Sequence, residues 1–241
     1  MPRPLIHVAC FALLLGGYTR AQDLTLTARV TLERKEPKAN HPLRAENVVL
    51  WLTPDLASRQ ADPTLAQPHP RLVQLNKSFQ PHIVAVPVGS VVEFPNHDPF
   101  FHNVFSLFEG KRFDLGLYEA GTTRDVRFDR PGVSFIFCNI HPQMSAVVLA
   151  LNTTLYGISD RRGEVIIPKV PAGRYTVHFW YEAGLPETLK ALTREVTVSE
   201  NNSTLGVFHL IADDVPQPHK NKYGRDYDTP TPAQSPAYDQ P

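Results

Sequence analysis

Residues 24–32, Leu-Thr-Leu-Thr-Ala-Arg-Val-Thr-Leu, alternate apolar and polar positions. A period of two predicts a strand with one buried face. After a charged, proline-bearing turn over 33–42, Val48-Val49-Leu50-Trp51-Leu52 is apolar throughout. It predicts a second, buried strand. Residues 54–70 hold Pro54, Pro63, Pro68 and Pro70 and read as a long loop. From residue 71 the texture changes to short strand-like runs, at 71–75, 83–86, 90–94, 103–107, 123–128, 133–137 and 146–151. Turn signals separate them, among them Pro87-Val88-Gly89, Pro95-Asn96-His97-Asp98-Pro99 and Asp129-Arg130-Pro131-Gly132. Short strands at that spacing predict an all-β sandwich. A further β-unit follows, with strands at 164–167, 174–181, 194–199 and 205–210 and a short helix over 185–192. Beyond Asp214 the chain is polar and proline-rich, a composition expected to be disordered.

Residues 1–21 have the form of a secretory signal peptide. Arg3 is the basic start, 8–17 the apolar core, and Thr19-Arg20-Ala21 the cleavage site. The apolar run is shorter than the roughly 20 residues a membrane span needs, and no later run is long enough. Removing the leader takes Arg3 and Arg20 and no acid, leaving 22 basic against 24 acidic residues, a net −2. That balance argues against nucleic acid or an anionic membrane as partner.

With the leader discounted, Cys138 is the only cysteine and Met144 the only methionine. An exported chain ordinarily uses cysteines in pairs. A lone Cys138 is therefore a buried thiol, a reactive one or a metal ligand. His141 lies midway between the two sulfurs, in Cys138-Asn139-Ile140-His141-Pro142-Gln143-Met144. Thiolate, imidazole and thioether together suit copper, and a type 1 copper site needs a second histidine. His102, in Phe100-Phe101-His102-Asn103-Val104-Phe105, opens a predicted strand and is the best candidate. Pro142 stiffens the ligand loop. Phe100, Phe101, Phe105, Phe135 and Phe137 supply an apolar shell that limits water access. Three plainer readings compete: a structural thiol, a zinc site of one cysteine and two histidines, and a metal-free sandwich. Zinc does not seek a thioether. His82 and His97 read either as further ligands or as ordinary turn histidines. No hydrolase, phosphate-loop or haem-attachment motif is present.

The run Val88-Gly89-Ser90-Val91-Val92-Glu93-Phe94, then Asn96, then Phe101-His102-Asn103-Val104, then Cys138-x-x-His141 resembles the plastocyanin/amicyanin branch of the cupredoxins. The resemblance covers roughly 71–151. The two-residue gap between His141 and Met144 is similar to amicyanin. The stretch 94–146 also resembles bacterial proteins described as methylamine-utilisation or plastocyanin-like. The resemblance implies a Greek-key cupredoxin sandwich holding one type 1 copper. His102, Cys138 and His141 would be its equatorial ligands and Met144 the axial one. Asn103 would fasten the ligand loop by hydrogen bonds, and the exposed edge of His141 would pass the electron. The expected protein is a monomeric, non-enzymatic electron carrier, periplasmic or secreted, serving an unidentified redox protein. A copper-handling or sensing module without electron transfer is the alternative.

Gly163-Glu164-Val165-Ile166-Ile167-Pro168-Lys169-Val170-Pro171-Ala172-Gly173-Arg174-Tyr175-Thr176-Val177 is similar to the second half of a carboxypeptidase-regulatory-like unit, a small transthyretin-like or Ig-like β-sandwich. Residues 24–53 could supply its first half. The expected order is a leader at 1–21, strands at 24–53, a cupredoxin at 71–151, the second sandwich at 152–212 and a disordered tail at 213–241.

Overall fold

The computed structural model describes residues 23–35, 44–55, 70–107, 110–213 and 219–227. The leader expected at 1–21 and most of the proline-rich loop over 54–70 lie outside the described residues.

In chain order the strands are β1 (Leu24–Arg34), β2 (Val49–Pro54), β3 (Val73–Gln74), β4 (Phe79–Gln80), β5 (Ile83–Pro87), β6 (Val91–Pro95), β7 (His102–Ser106) and β8 (Phe113–Tyr118). They continue with β9 (Thr123–Arg127), β10 (Gly132–Cys138), β11 (Ser145–Leu151), β12 (Tyr156–Ile158), β13 (Glu164–Val170) and β14 (Gly173–Trp180). The helix α1 (Pro186–Leu192) precedes β15 (Arg194–Val198) and β16 (Thr204–Ala212). The all-β expectation holds. The short helix starts with Pro186 in its first turn, where a missing N–H costs nothing.

A strand that is apolar at every position needs a neighbour on both faces, and that need stacks the sheets. One sheet has the order β13-β1-β16, and a second β12-β2-β14-β15. A third runs β5-β11-β10-β7-β8, and a fourth pairs β6 with β9, with the β3-β4 ribbon bridged to β6. Leu26, Val30, Leu50, Leu52, Val165, Val177 and Phe208 fill the gap between the first two sheets. Val84, Val86, Phe94, Val104, Ile136, Ala146 and Val148 fill the gap between the last two. The middle gap is equally dry: Val49, Ile83, Ala85, Val147, Leu149 and Leu151, with Trp51 and Trp180 packed against them. On β11, Ala146, Val148 and Ala150 point one way, and Val147, Leu149 and Leu151 the other. The same alternation explains the unbroken apolar run of β2. β1 and β2 pair only with strands that follow residue 155, so both ends of the chain build the first two sheets.

At the rim of the middle gap His82 donates from Nδ1 to the Ser145 carbonyl (3.2 Å) and from Nε2 to Glu182 (2.6 Å). Two acceptors require both ring protons. The hydrogen bond to Glu182 raises the His82 pKa above its ordinary 6.5, against burial, which lowers it. A raised pKa gives stability that is complete below 6.5 and fades as pH climbs through the raised value. His82→Gln should therefore lower the urea midpoint at pH 6 and match the wild type by pH 9. Water reaches the pair, which limits the effect to about 1 kcal/mol. Equal losses at both pH values would count against this reading.

Candidate metal centre

β7 and β10 are antiparallel neighbours, with Val104 opposite Cys138. The start of β7 and the end of β10 therefore share one edge of the sheet. Side chains alternate along a strand, so His102 and Val104 share one face of β7, and Cys138 and Ile136 one face of β10. Both faces look into the core between the third and fourth sheets. After Cys138 the chain turns back into β11. The Met144 N–H closes a turn on the His141 carbonyl (3.1 Å), with Pro142 inside it. The Met144 carbonyl then accepts the Cys138 N–H (3.2 Å), and the Asn103 carbonyl accepts the Asn139 N–H (2.9 Å).

These constraints bring three donors together. Cys138 Sγ lies 3.6 Å from His102 Nδ1 and 3.5 Å from His141 Nδ1, and the two nitrogens are 3.2 Å apart. The point equidistant from all three is about 2 Å from each, the length of a metal–imidazole bond and close to a metal–thiolate bond. Two imidazoles and one thiol in a trigonal set fit copper. Among the described residues this is the one cluster of three or more His, Cys, Asp or Glu donors with such spacing. Met144 is fully buried in the core that contains Cys138. Phe100 packs its ring against both imidazoles, with centroids 5.3 Å from His102 and 5.6 Å from His141.

Without a metal the donors hold no net charge near neutral pH. Burial pushes the Cys138 thiol up, although the N–H groups of Ile140, Asn103 and His141 pull the other way. Burial lowers His102, against Asp98, and it lowers His141 to about 4 with help from His102 and Lys77. A bound cation would displace the thiol proton and meet a dry, preshaped set of donors.

Asp98 belongs to the site although its sequence context reads as a turn. Its carboxylate accepts the Asn76 and Lys77 N–H groups at 2.6 and 3.0 Å, and His102 Nε2–H at 2.9 Å. That bond fixes the proton on Nε2 and turns the Nδ1 lone pair toward Cys138. Burial pushes the Asp98 carboxyl up, but the Lys77, His102 and Asn76 donors outweigh it and hold it below the ordinary carboxylate range.

Two expected supporting residues act differently. Asn103 and Phe137 alternate with His102 and Cys138 along their strands and face away from the donors. The Asn103 side chain donates to Asp114 (2.6 Å) and to the Gly116 carbonyl (3.1 Å) of β8. Its backbone fastens the ligand loop, the carbonyl accepting the Asn139 N–H and the N–H bonding the Cys138 thiol. Phe137 stacks on His219 instead of lining the pocket. His97 is exposed and His82 serves the rim between the second and third sheets, so neither joins the cluster. Part of the tail expected to be disordered, 219–227, lies against the end of β10: Tyr227 donates to the Cys138 carbonyl at 2.7 Å.

No protein-family model matches the chain, and no curated protein matches it. Several solved structures are similar to it. One is a purple cupredoxin from Nitrosopumilus maritimus, at 22% identity over 34% of this chain and 99% of that one, with a TM-score of 0.32. Another is a copper-containing nitrite reductase from Thermus scotoductus SA-01, at 22% identity over 51% of this chain and 28% of that one, TM-score 0.34. A third is a mutant amicyanin in its reduced Cu(I) form, at 18% identity over 36% of this chain and 87% of that one, TM-score 0.33. The likeness is loose, and the chemistry of the site rests on its own donor atoms.

Proposed function

We propose that the chain is an exported type 1 copper protein that carries single electrons between redox partners and is not itself an enzyme. The observation that supports it is the trigon of His102 Nδ1, Cys138 Sγ and His141 Nδ1 around one point. In this reading those three would hold the ion, with Met144, buried in the same core, as a further and weaker sulfur ligand. Bound there, copper supplies a one-electron couple. The protein keeps the donors in one arrangement for both oxidation states, because two strands and one tight turn fix them. Phe100 and the surrounding core exclude water. His141 is less buried than His102 and follows the exposed Ile140 in the ligand loop, which gives a partner protein an apolar contact beside the second imidazole. The first two sheets are proposed to serve as a docking or spacing unit of the carboxypeptidase-regulatory-like kind.

Adding one equivalent of Cu(II) to the metal-free protein should produce an intense visible band from cysteine-to-copper charge transfer. Copper held at 100 times its dissociation constant should also stabilise the fold by about 2.7 kcal/mol. A colourless complex with equal stabilisation by zinc would favour the zinc reading. No uptake of either metal would leave a metal-free binding module. Fast electron exchange with a redox protein separates a carrier from a copper-sensing module.

A further inference from the structure

Phe105 and Phe137 point to the side of the third sheet opposite the donors, with ring centroids 5.9 Å apart. Further along β10 that side is covered by the second sheet, against which Val133 and Phe135 pack. At the metal end the cover is the segment 219–227. His219 stacks on Phe137 at 4.3 Å between centroids and 25° between planes. Tyr227 O–H donates to the Cys138 carbonyl at 2.7 Å and lies 3.2 Å from His219 Nδ1. The Lys222 N–H donates to Asn139 Oδ1 at 3.0 Å. Its ammonium meets Asp114 Oδ2 at 2.8 Å, and the other oxygen of Asp114 accepts from Asn103.

The segment thus grips three successive residues, Phe137, Cys138 and Asn139, and reaches the His102 strand through Asp114 and Asn103. The Cys138 N–H goes to Met144 and its C=O to Tyr227, so the phenol completes the backbone bonding of the thiol residue. We infer that 219–227 is a positioning strap for the metal centre, in which Tyr227 and His219 hold the Cys138 backbone and keep the thiol aligned with both imidazoles. A site of this kind tolerates displacements of only about 0.5 Å, and partners outside the donor set set how well it holds metal. The inference rests on the copper reading for its spectral consequences and on geometry alone for its mechanical ones.

The test uses the full chain, as wild type, Tyr227→Phe, His219→Ala and His219→Phe. In the metal-free proteins the amides of Asn139, Ile140 and His141 should exchange with deuterium about fivefold faster in Tyr227→Phe, the loss of one hydrogen bond. They should also be faster in His219→Ala, while Val147 and Leu149 keep wild-type rates. His219→Phe, which restores a stacked ring, should recover most of the protection. In the copper-loaded proteins Tyr227→Phe and His219→Ala should shift the charge-transfer band and release copper to a chelator about tenfold faster. Wild-type exchange at 139–141 in both variants overturns the strap, whatever the metal result. Faster exchange there in a protein that takes up no copper sustains the strap and removes the copper reading instead.

Discussion

Cys138→Ser is expected to abolish the visible band and most of the copper affinity while leaving the fold in place. The thiolate is the soft, polarizable member of the donor set and the source of the charge-transfer transition. Serine keeps the shape, but its hydroxyl does not ionise near neutral pH. Two imidazoles remain, their Nδ1 atoms 3.2 Å apart, with a hydroxyl beside them. Losing a donor should cost more than the roughly 10–100-fold typical of an outer partner. The metal-free fold has little reason to suffer. Cys138 is fully buried, but a serine there finds His102 Nδ1 and His141 Nδ1 within reach, so its hydroxyl is not stranded. Visible and paramagnetic-resonance spectra of the two proteins with one equivalent of Cu(II), beside urea unfolding without metal, make the comparison. A serine variant as coloured as the wild type would exclude Cys138 as the ligand.

The strands that pack on both faces were the most legible. β2, β5 and β11 announce themselves as apolar runs, because each serves two cores. β8 escaped the sequence reading. Its residues Phe113–Tyr118 include Gly116 at φ +68°, the pairing with β7 shifts register between Asn103 and Phe105, and Leu117 is exposed. An irregular edge strand has neither a clean period of two nor a continuous apolar run. The parallel pairing of β1 with β16 joins residues such as Thr27 and Thr204, 177 positions apart, which no local pattern reveals. At the site, the spacing of Cys138, His141 and Met144 carries its own chemistry, so those positions could be picked out by residue type. Asp98 could not, since an Asp between prolines in Asn96-His97-Asp98-Pro99 is an ordinary turn signal. Its partners, the N–H groups of Asn76 and Lys77, are backbone atoms without any side-chain signature. The segment 219–227 was obscured by the composition around it. Phe105 and Phe137 read in the sequence as part of the shell around the donors, whereas in the fold they face away from them and are the rings that His219 covers.

Asp98→Ala and Asp98→Asn should separate what this carboxylate does for the fold from what it does for the metal. Asp98 is 3% exposed and holds Asn76 and Lys77 at φ 56° and 52°, left-handed values that non-glycine residues adopt at a cost. Alanine leaves both N–H groups and His102 Nε2–H without an acceptor. A stranded buried donor costs about 1–3 kcal/mol, and water entering the space recovers part of it, so a loss of about 3 kcal/mol is expected. Asparagine has the same shape and keeps an oxygen for the Asn76 N–H. The Lys77 N–H and His102 Nε2–H share the other oxygen, so an amide nitrogen there strands the Lys77 N–H and only part of the stability survives. Its amide then turns an N–H toward His102 Nε2, which must accept. The ring proton moves to Nδ1, the atom that faces Cys138, and has to leave before a metal binds. Asp98→Asn should therefore lose about 1 kcal/mol, less than alanine because one backbone N–H keeps its acceptor, yet bind copper about 10–100-fold more weakly. Asp98→Ala should lose on both counts. Copper affinity unchanged in Asp98→Asn would show that the carboxylate only anchors the 76–78 loop, and that the His102 tautomer is set by the donor cluster itself.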